Sequence, residues 1–191
     1  MKARIAIFAS GAGTNAENLI RYFRTSDVAQ VVLVLTNKPE ALVLEKAAAL
    51  NVQTEVFSKQ DLNLSDSVLQ SLKEAEVDWV VLAGFLLKVP GNLIEAYPDR
   101  IINIHPALLP KYGGKGMYGH HVHKAVLEAG EAETGISIHY VNEHYDEGAM
   151  IAQQKVGLGD KETAESIAAK VHALEYKWFP IIVEETISKH S

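Results

Sequence analysis

The chain has 191 residues, 48% hydrophobic and 22% charged, an ordinary globular balance that excludes a disordered or fibrous protein. A formal net charge of −6 at pH 7 provides no basic field for nucleic acid or a membrane surface, so any bound anion must be held by local geometry. The absence of cysteine removes disulfides, thiolate metal sites and thiol nucleophiles together, and suits a cytoplasmic protein.

The apolar run Ile5–Ala9 is too short for a signal peptide, and no stretch approaches the roughly 20 apolar residues of a spanning helix. That run reads instead as a buried strand, ended by Gly11-Ala12-Gly13 and followed by a helical stripe of Ala16, Leu19, Ile20 and Phe23. Val31–Leu35 reads as the second strand, and Pro39 is placed to open a helix reaching Leu50. Val52–Phe57 is the third strand, Ser65–Ala75 the helix after it, Asp78–Gly84 the fourth strand and Arg100–Ile104 the fifth. Alternation at this pitch predicts an α/β fold, a Rossmann-like, mostly parallel sheet with helices on both faces.

The rhythm then changes. Gly135–Val141 and Met150–Val156 are separated by eight residues, too few for a helical crossover, so they are expected to form an antiparallel hairpin. A long last helix from Lys161 carries apolar residues at Ile167, Val171, Leu174, Trp178 and Ile181, with Pro180 expected to kink it or end its regular part. One domain over 1–191 is expected, a phosphate-binding half over about 1–100 and a catalytic half over about 101–191.

Ser10-Gly-Ala-Gly-Thr-Asn-Ala16 follows a strand and opens a helix, where backbone N–H groups can hold a phosphate. It also satisfies a dinucleotide fingerprint, which leaves a nicotinamide-dependent oxidoreductase or a non-catalytic sugar-phosphate-binding module as alternatives. The second strand ends Leu35-Thr36-Asn37-Lys38, with no acid for a dinucleotide ribose, which favours a mononucleotide-like phosphate. In Asn103-Ile104-His105-Pro106 the amide and the imidazole share one face of a strand end, about 6–7 Å apart along the backbone, and could converge on an oxyanion. Asp146, in the hairpin loop, could hold that imidazole charged by raising its pKa above about 6.5. His120, His121 and His123 stand at a helix start with spacings that do not share one face, so no metal is assigned; Gly113–Gly116 reads as a mobile loop.

With these residues identified, the sequence resembles the glycinamide ribonucleotide formyltransferases of the formyltetrahydrofolate-using enzymes. The resemblance runs through essentially the whole length. It rests on Ser10-Gly-Ala-Gly-Thr-Asn15, Val81-Leu-Ala-Gly-Phe85, Ile102-Asn-Ile-His-Pro106 with Leu108-Leu-Pro-Lys-Tyr112, and Asp146-Glu-Gly148. Neither the extra C-terminal domain of methionyl-tRNA formyltransferases nor the extra N-terminal domain of formyltetrahydrofolate deformylases is expected.

The resemblance implies formyl transfer from 10-formyltetrahydrofolate, as co-substrate, to the amine of glycinamide ribonucleotide in purine biosynthesis, without a metal. Asn103, His105 and Asp146 are implied as the catalytic trio. Gly13, Thr14 and Asn15 are implied at the ribonucleotide phosphate, and Glu175 near the substrate's amine end. Leu86, Leu87, Lys88, Val89 and Asn103, with Asn142, Glu143, His144, Tyr145 and Asp146, are implied at the folate. Small-molecule substrates, no nucleic acid or membrane, and a monomer or homodimer complete the expectation. Departures from the family pattern are Lys88 where arginine is expected, a longer segment over 113–119, and no arginine over 58–66, where Lys59 is the nearest cation.

Overall fold

Strand β1 (Ala3–Phe8) is flanked by parallel neighbours on both sides, and Ile5, Ala6, Ile7 and Phe8 lose essentially all solvent contact. A strand covered on both faces needs apolar residues at successive positions, which is why its sequence shows a run rather than an alternation. The computed structural model describes residues 1–190. Its other strands are β2 (Ala29–Thr36), β3 (Gln53–Val56), β4 (Trp79–Leu82), β5 (Ile101–His105), β6 (Glu133–Tyr140) and β7 (Met150–Gly157). They form one seven-stranded sheet in the order β3-β2-β1-β4-β5-β6-β7.

The strands up to β5 are parallel; β6 runs antiparallel to both β5 and β7. The β6–β7 hairpin follows the sequence reading. The β5–β6 pairing was not foreseen, and it matters more, because it sets His139 opposite Asn103 and Ser137 opposite His105.

Alternate residues of β1 feed two cores. Ile5 and Ile7 pack with α1 (Thr14–Phe23), α2 (Val43–Ala49), α6 (His120–Glu128) and α7 (Ala164–Lys189). Ala6 and Phe8 pack with α3 (Lys59–Leu64), α4 (Ser67–Glu74) and α5 (Gly91–Ala96). Each fully buried large apolar side chain contributes roughly 1.5–3 kcal/mol, so both faces of the sheet are well covered.

Several boundaries differ from the sequence expectation. The helix expected from Pro39 begins at Val43, because the Ala41 amide bonds back to Lys38 and the Val43 amide donates to the Gly11 carbonyl, holding 39–42 in a turn. The single helix expected over 65–75 is preceded by α3, whose start is fixed by a reciprocal Ser58–Asp61 capping box. The 26-residue α7 runs past Pro180, which is buried along with Phe179 and Ile182; burial of this stretch outweighs the missing N–H. Its buried stripe is Ile167, Val171, Glu175, Phe179 and Ile182, one position on from the expected Leu174, Trp178 and Ile181, which are half-buried. Glu175 therefore lies inside the apolar face.

Candidate active site

The tip of β5 carries Asn103 and His105 on the same face of the strand, as residues two apart must be. His105 is buried at 4% exposure, and its Nε2 lies 2.7 Å from the Tyr112 carbonyl oxygen. A carbonyl only accepts, so Nε2 carries the hydrogen and Nδ1 is left with its lone pair in the neutral ring. On the adjacent strand, His139 Nδ1 donates to the Tyr140 carbonyl at 2.7 Å, and its Nε2 accepts from the Asn103 amide at 3.1 Å.

Asp146 approaches from the turn between β6 and β7. Its backbone is left-handed (φ 57°). Gly148 lets that turn lie on β6: a Cβ there would sit 1.7 Å from the Tyr140 carbonyl oxygen. The carboxylate consequently meets both strand-borne rings. Asp146 Oδ2 accepts from the Gly114 amide at 2.9 Å and stands 3.6 Å from His105 Nδ1. Oδ1 stands 3.6 Å from His139 Nε2 and 3.5 Å from the Asn103 amide nitrogen.

The structure corrects one expectation. Burial pushes the His105 pKa below its ordinary value, and the Asp146 carboxylate offsets this only in part, so the ring is not a standing imidazolium at neutral pH. For Asp146, burial acts to raise the pKa, but the pull of His139 and His105 when their rings are protonated, together with the hydrogen bond from the Gly114 amide, outweighs it and leaves the pKa below its ordinary value. A neutral imidazole with one free nitrogen faces a carboxylate.

A cleft of about 700 Å³ opens beside this group. Its far wall is the turn Gly11–Asn15 leading into α1. Gly13 is left-handed (φ 68°), and a Cβ on it would lie 2.5 Å from Val43 Cβ, so the turn is shaped by both backbone conformation and close packing. Ser10 ties the strand ends together, donating to Asn37 at 2.6 Å and accepting from the Leu86 amide at 3.0 Å. Asn37 thus fills a packing role where a dinucleotide enzyme would place its ribose-binding acid. Asn15 donates to Glu175 Oε2 at 3.0 Å, and the same oxygen lies 2.9 Å from His172 Nδ1, which raises the His172 pKa.

Gly13, Thr14, Asn15, Glu175, Leu86, Leu87, Lys88, Val89, Asn103, His105, Asn142, His144, Tyr145 and Asp146 all line this cleft. Glu143 does not; it lines an adjoining recess with Lys88 and Val89, because the Asn142 side chain accepts from the His144 amide and turns the loop between them. Lys59 starts α3 and does not line the cleft. The three neighbouring histidines separate: His121 packs edge-on to Tyr118, whereas buried His123 packs against His172. Among the described residues no group of His, Cys, Asp and Glu has metal-holding geometry.

The residues missed from the sequence are His139, Tyr112 and Gly114. His139 could have been found once β6 was placed beside β5, since Ile136 and Ile138 face away from it. The other two act through backbone atoms, which leave no mark in residue type.

The formyl transferase family model matches residues 3–183. The chain is 40% identical over 188 residues to the chloroplastic phosphoribosylglycinamide formyltransferase of Arabidopsis thaliana, covering 95% of this chain and 64% of the plant protein. It is 32% identical over 189 residues to the Bacillus subtilis phosphoribosylglycinamide formyltransferase, covering 96% of this chain and 94% of that one. The crystal structure of the Bacillus halodurans phosphoribosylglycinamide formyltransferase superposes with a TM-score of 0.88 at 36% identity, covering 98% and 97% of the two chains.

Proposed function

Because the chain belongs to the formyl transferase family, and within it to the phosphoribosylglycinamide formyltransferases, we propose that it transfers the formyl group of 10-formyltetrahydrofolate to the amine of glycinamide ribonucleotide in purine biosynthesis. The observation that carries this reading is the convergence of the Asn103 amide, the His105 imidazole and the Asp146 carboxylate at one cleft wall, with a glycine-shaped helix start across from them. A nicotinamide or a purely binding role is not supported: the end of β2 bonds to Ser10, and neither role uses the trio.

The primary amine attacks the formyl carbon, and a new C–N bond forms as the carbonyl becomes an oxyanion. The Asn103 amide, whose approach to Asp146 is long, is available to donate to that oxygen. The proton lost by the attacking nitrogen is taken up at His105 Nδ1, the free ring nitrogen, and the Asp146 carboxylate stabilises the cation so formed. The bond from carbon to the folate nitrogen then breaks, the proton passes to that nitrogen, and tetrahydrofolate leaves.

The phosphate of the ribonucleotide is assigned to the amides around Gly13, Thr14 and Asn15, and its amine end to the side near Glu175. The pterin is assigned to Leu86–Val89 and the 142–146 loop. Cytosolic residence belongs to the same reading, supported by the composition; no described helix is long and apolar enough to cross a membrane.

The test is direct. Purified protein mixed with both substrates should yield formylated ribonucleotide and tetrahydrofolate in equal amounts, followed by the folate absorbance. Folate deformylation without formylated ribonucleotide, or binding of either compound without turnover, would refute the reading.

A further inference from the structure

Asp146 is held from below by the peptide segment that also holds His105. The Tyr112 carbonyl accepts from His105 Nε2, and two residues later the Gly114 amide donates to Asp146 Oδ2. Tyr112 has a left-handed backbone (φ 58°), which turns its carbonyl toward the ring, and this conformation is unfavourable for a residue with a side chain. Something must therefore hold it. Glu131, in the connection between α6 and β6 and outside the cleft, accepts from the Tyr112 hydroxyl at 2.8 Å and from Lys111 Nζ at 2.7 Å, both on Oε1. The two bonds fasten adjacent residues to one carboxylate, leaving the backbone between His105 and Asp146 little freedom to rotate.

We propose that Glu131 is a positioning residue: by clamping Lys111 and Tyr112 it keeps the Tyr112 carbonyl on His105 Nε2 and so confines the exchangeable proton to Nδ1, beside Asp146. The inference deepens the formyl-transfer reading and rests on it for its kinetic consequence. Its structural content stands separately, because the tautomer of His105 is observable in the ligand-free protein. Without the clamp the Tyr112 carbonyl can swing away. Either ring nitrogen then carries the hydrogen, and the molecules with Nδ1–H cannot take up the proton of the attacking amine.

The experiment is nitrogen-15 NMR of the ligand-free full chain, with His105→Asn identifying the His105 signals, alongside steady-state kinetics. The wild type should show the Nε2–H tautomer. Glu131→Ala and Tyr112→Phe should each show a mixture, with kcat lowered in proportion to the Nδ1–H fraction, about twofold for an even mixture, because only the Nε2–H form can take up the proton. KM values should stay near wild type. Glu131→Gln keeps an acceptor for the Tyr112 hydroxyl and should restore most of the Nε2–H signal. Glu133→Gln, which breaks a comparable exposed pair with Lys155 between β6 and β7, is the control for a merely lost ion pair and should leave kcat unchanged.

An unaltered His105 tautomer in both Glu131→Ala and Tyr112→Phe overturns the inference, whatever happens to kcat. If Glu131→Ala fails to fold, Tyr112→Phe, which removes one oxygen, decides alone. A wild-type chain without formyl transfer would defeat the functional reading, while the tautomer measurement would still decide the clamp.

Discussion

The two walls of the cleft are built on different principles. At the β5 tip, side chains hold one another: Asn103 touches His139, Asp146 faces both histidines, and the two rings are each anchored to a backbone carbonyl. Across the cleft, the Gly11–Asn15 turn offers main-chain donors, and its shape comes from one left-handed glycine packed on Val43. On the proposed reading the first wall fixes the positions of the reacting groups, and it should govern turnover. The second fixes a backbone shape and should govern binding and stability.

That contrast is broken most severely at the β5 wall. Asn103→Ala, His105→Ala and Asp146→Ala should each lower kcat by about 10²–10⁴, the usual worth of a positioned donor or proton carrier, with folded protein recovered in each case. Circular dichroism and kcat settle it; collapse of the fold in all three would mean that the trio is architecture rather than chemistry.

At the opposite wall, Gly13→Ala forces a Cβ against Val43 in a left-handed conformation, costing on the order of 1–3 kcal/mol. Its signature should be a lower melting temperature and a raised KM for the ribonucleotide, with KM for the folate retained. A variant with wild-type stability would show that the turn relaxes freely.

The subtlest effect sharpens the contrast through protonation. Burial lowers the His105 pKa and Asp146 is the largest opposing influence, so Asp146→Asn should lower that pKa further, by NMR titration. The sign for stability follows: the unfolded ring titrates near 6.5, so the advantage of keeping His105 neutral is present above that pH. It is lost as pH falls through the lower folded value. A His105 pKa that rises in Asp146→Asn would contradict the electrostatic account of this wall.

How much was legible in the sequence divides along the same line. Buried parallel strands declare themselves as apolar runs, and a strand end with Asn-x-His-Pro states which side chains share a face, so β1, β2, β4 and β5 and the position of Asn103 and His105 were readable. The helix start after Gly13 was readable from its glycines. What sequence could not supply was proximity across the chain. The β5–β6 pairing that brings His139 to Asn103 joins residues with no local signal between them, and only the fold shows that Asp146 is pinned by an amide at Gly114. The charge on His105 was misjudged for the same reason: a carboxylate neighbour could be guessed, but the burial that outweighs it is a property of packing. Glu175 escaped the apolar pattern because one polar residue in the stripe of α7 is bonded by Asn15 and His172 rather than exposed.

The central claim, that the strand tip and the hairpin turn act as one unit, is tested most directly by a double-mutant cycle on kcat with Asn103→Ala, Asp146→Ala and the double variant. Groups that work as a unit lose their effect together, so the double variant should be about as slow as the worse single one. Losses that multiply would show that the two residues act independently, and that their meeting at the cleft wall is not the source of catalysis.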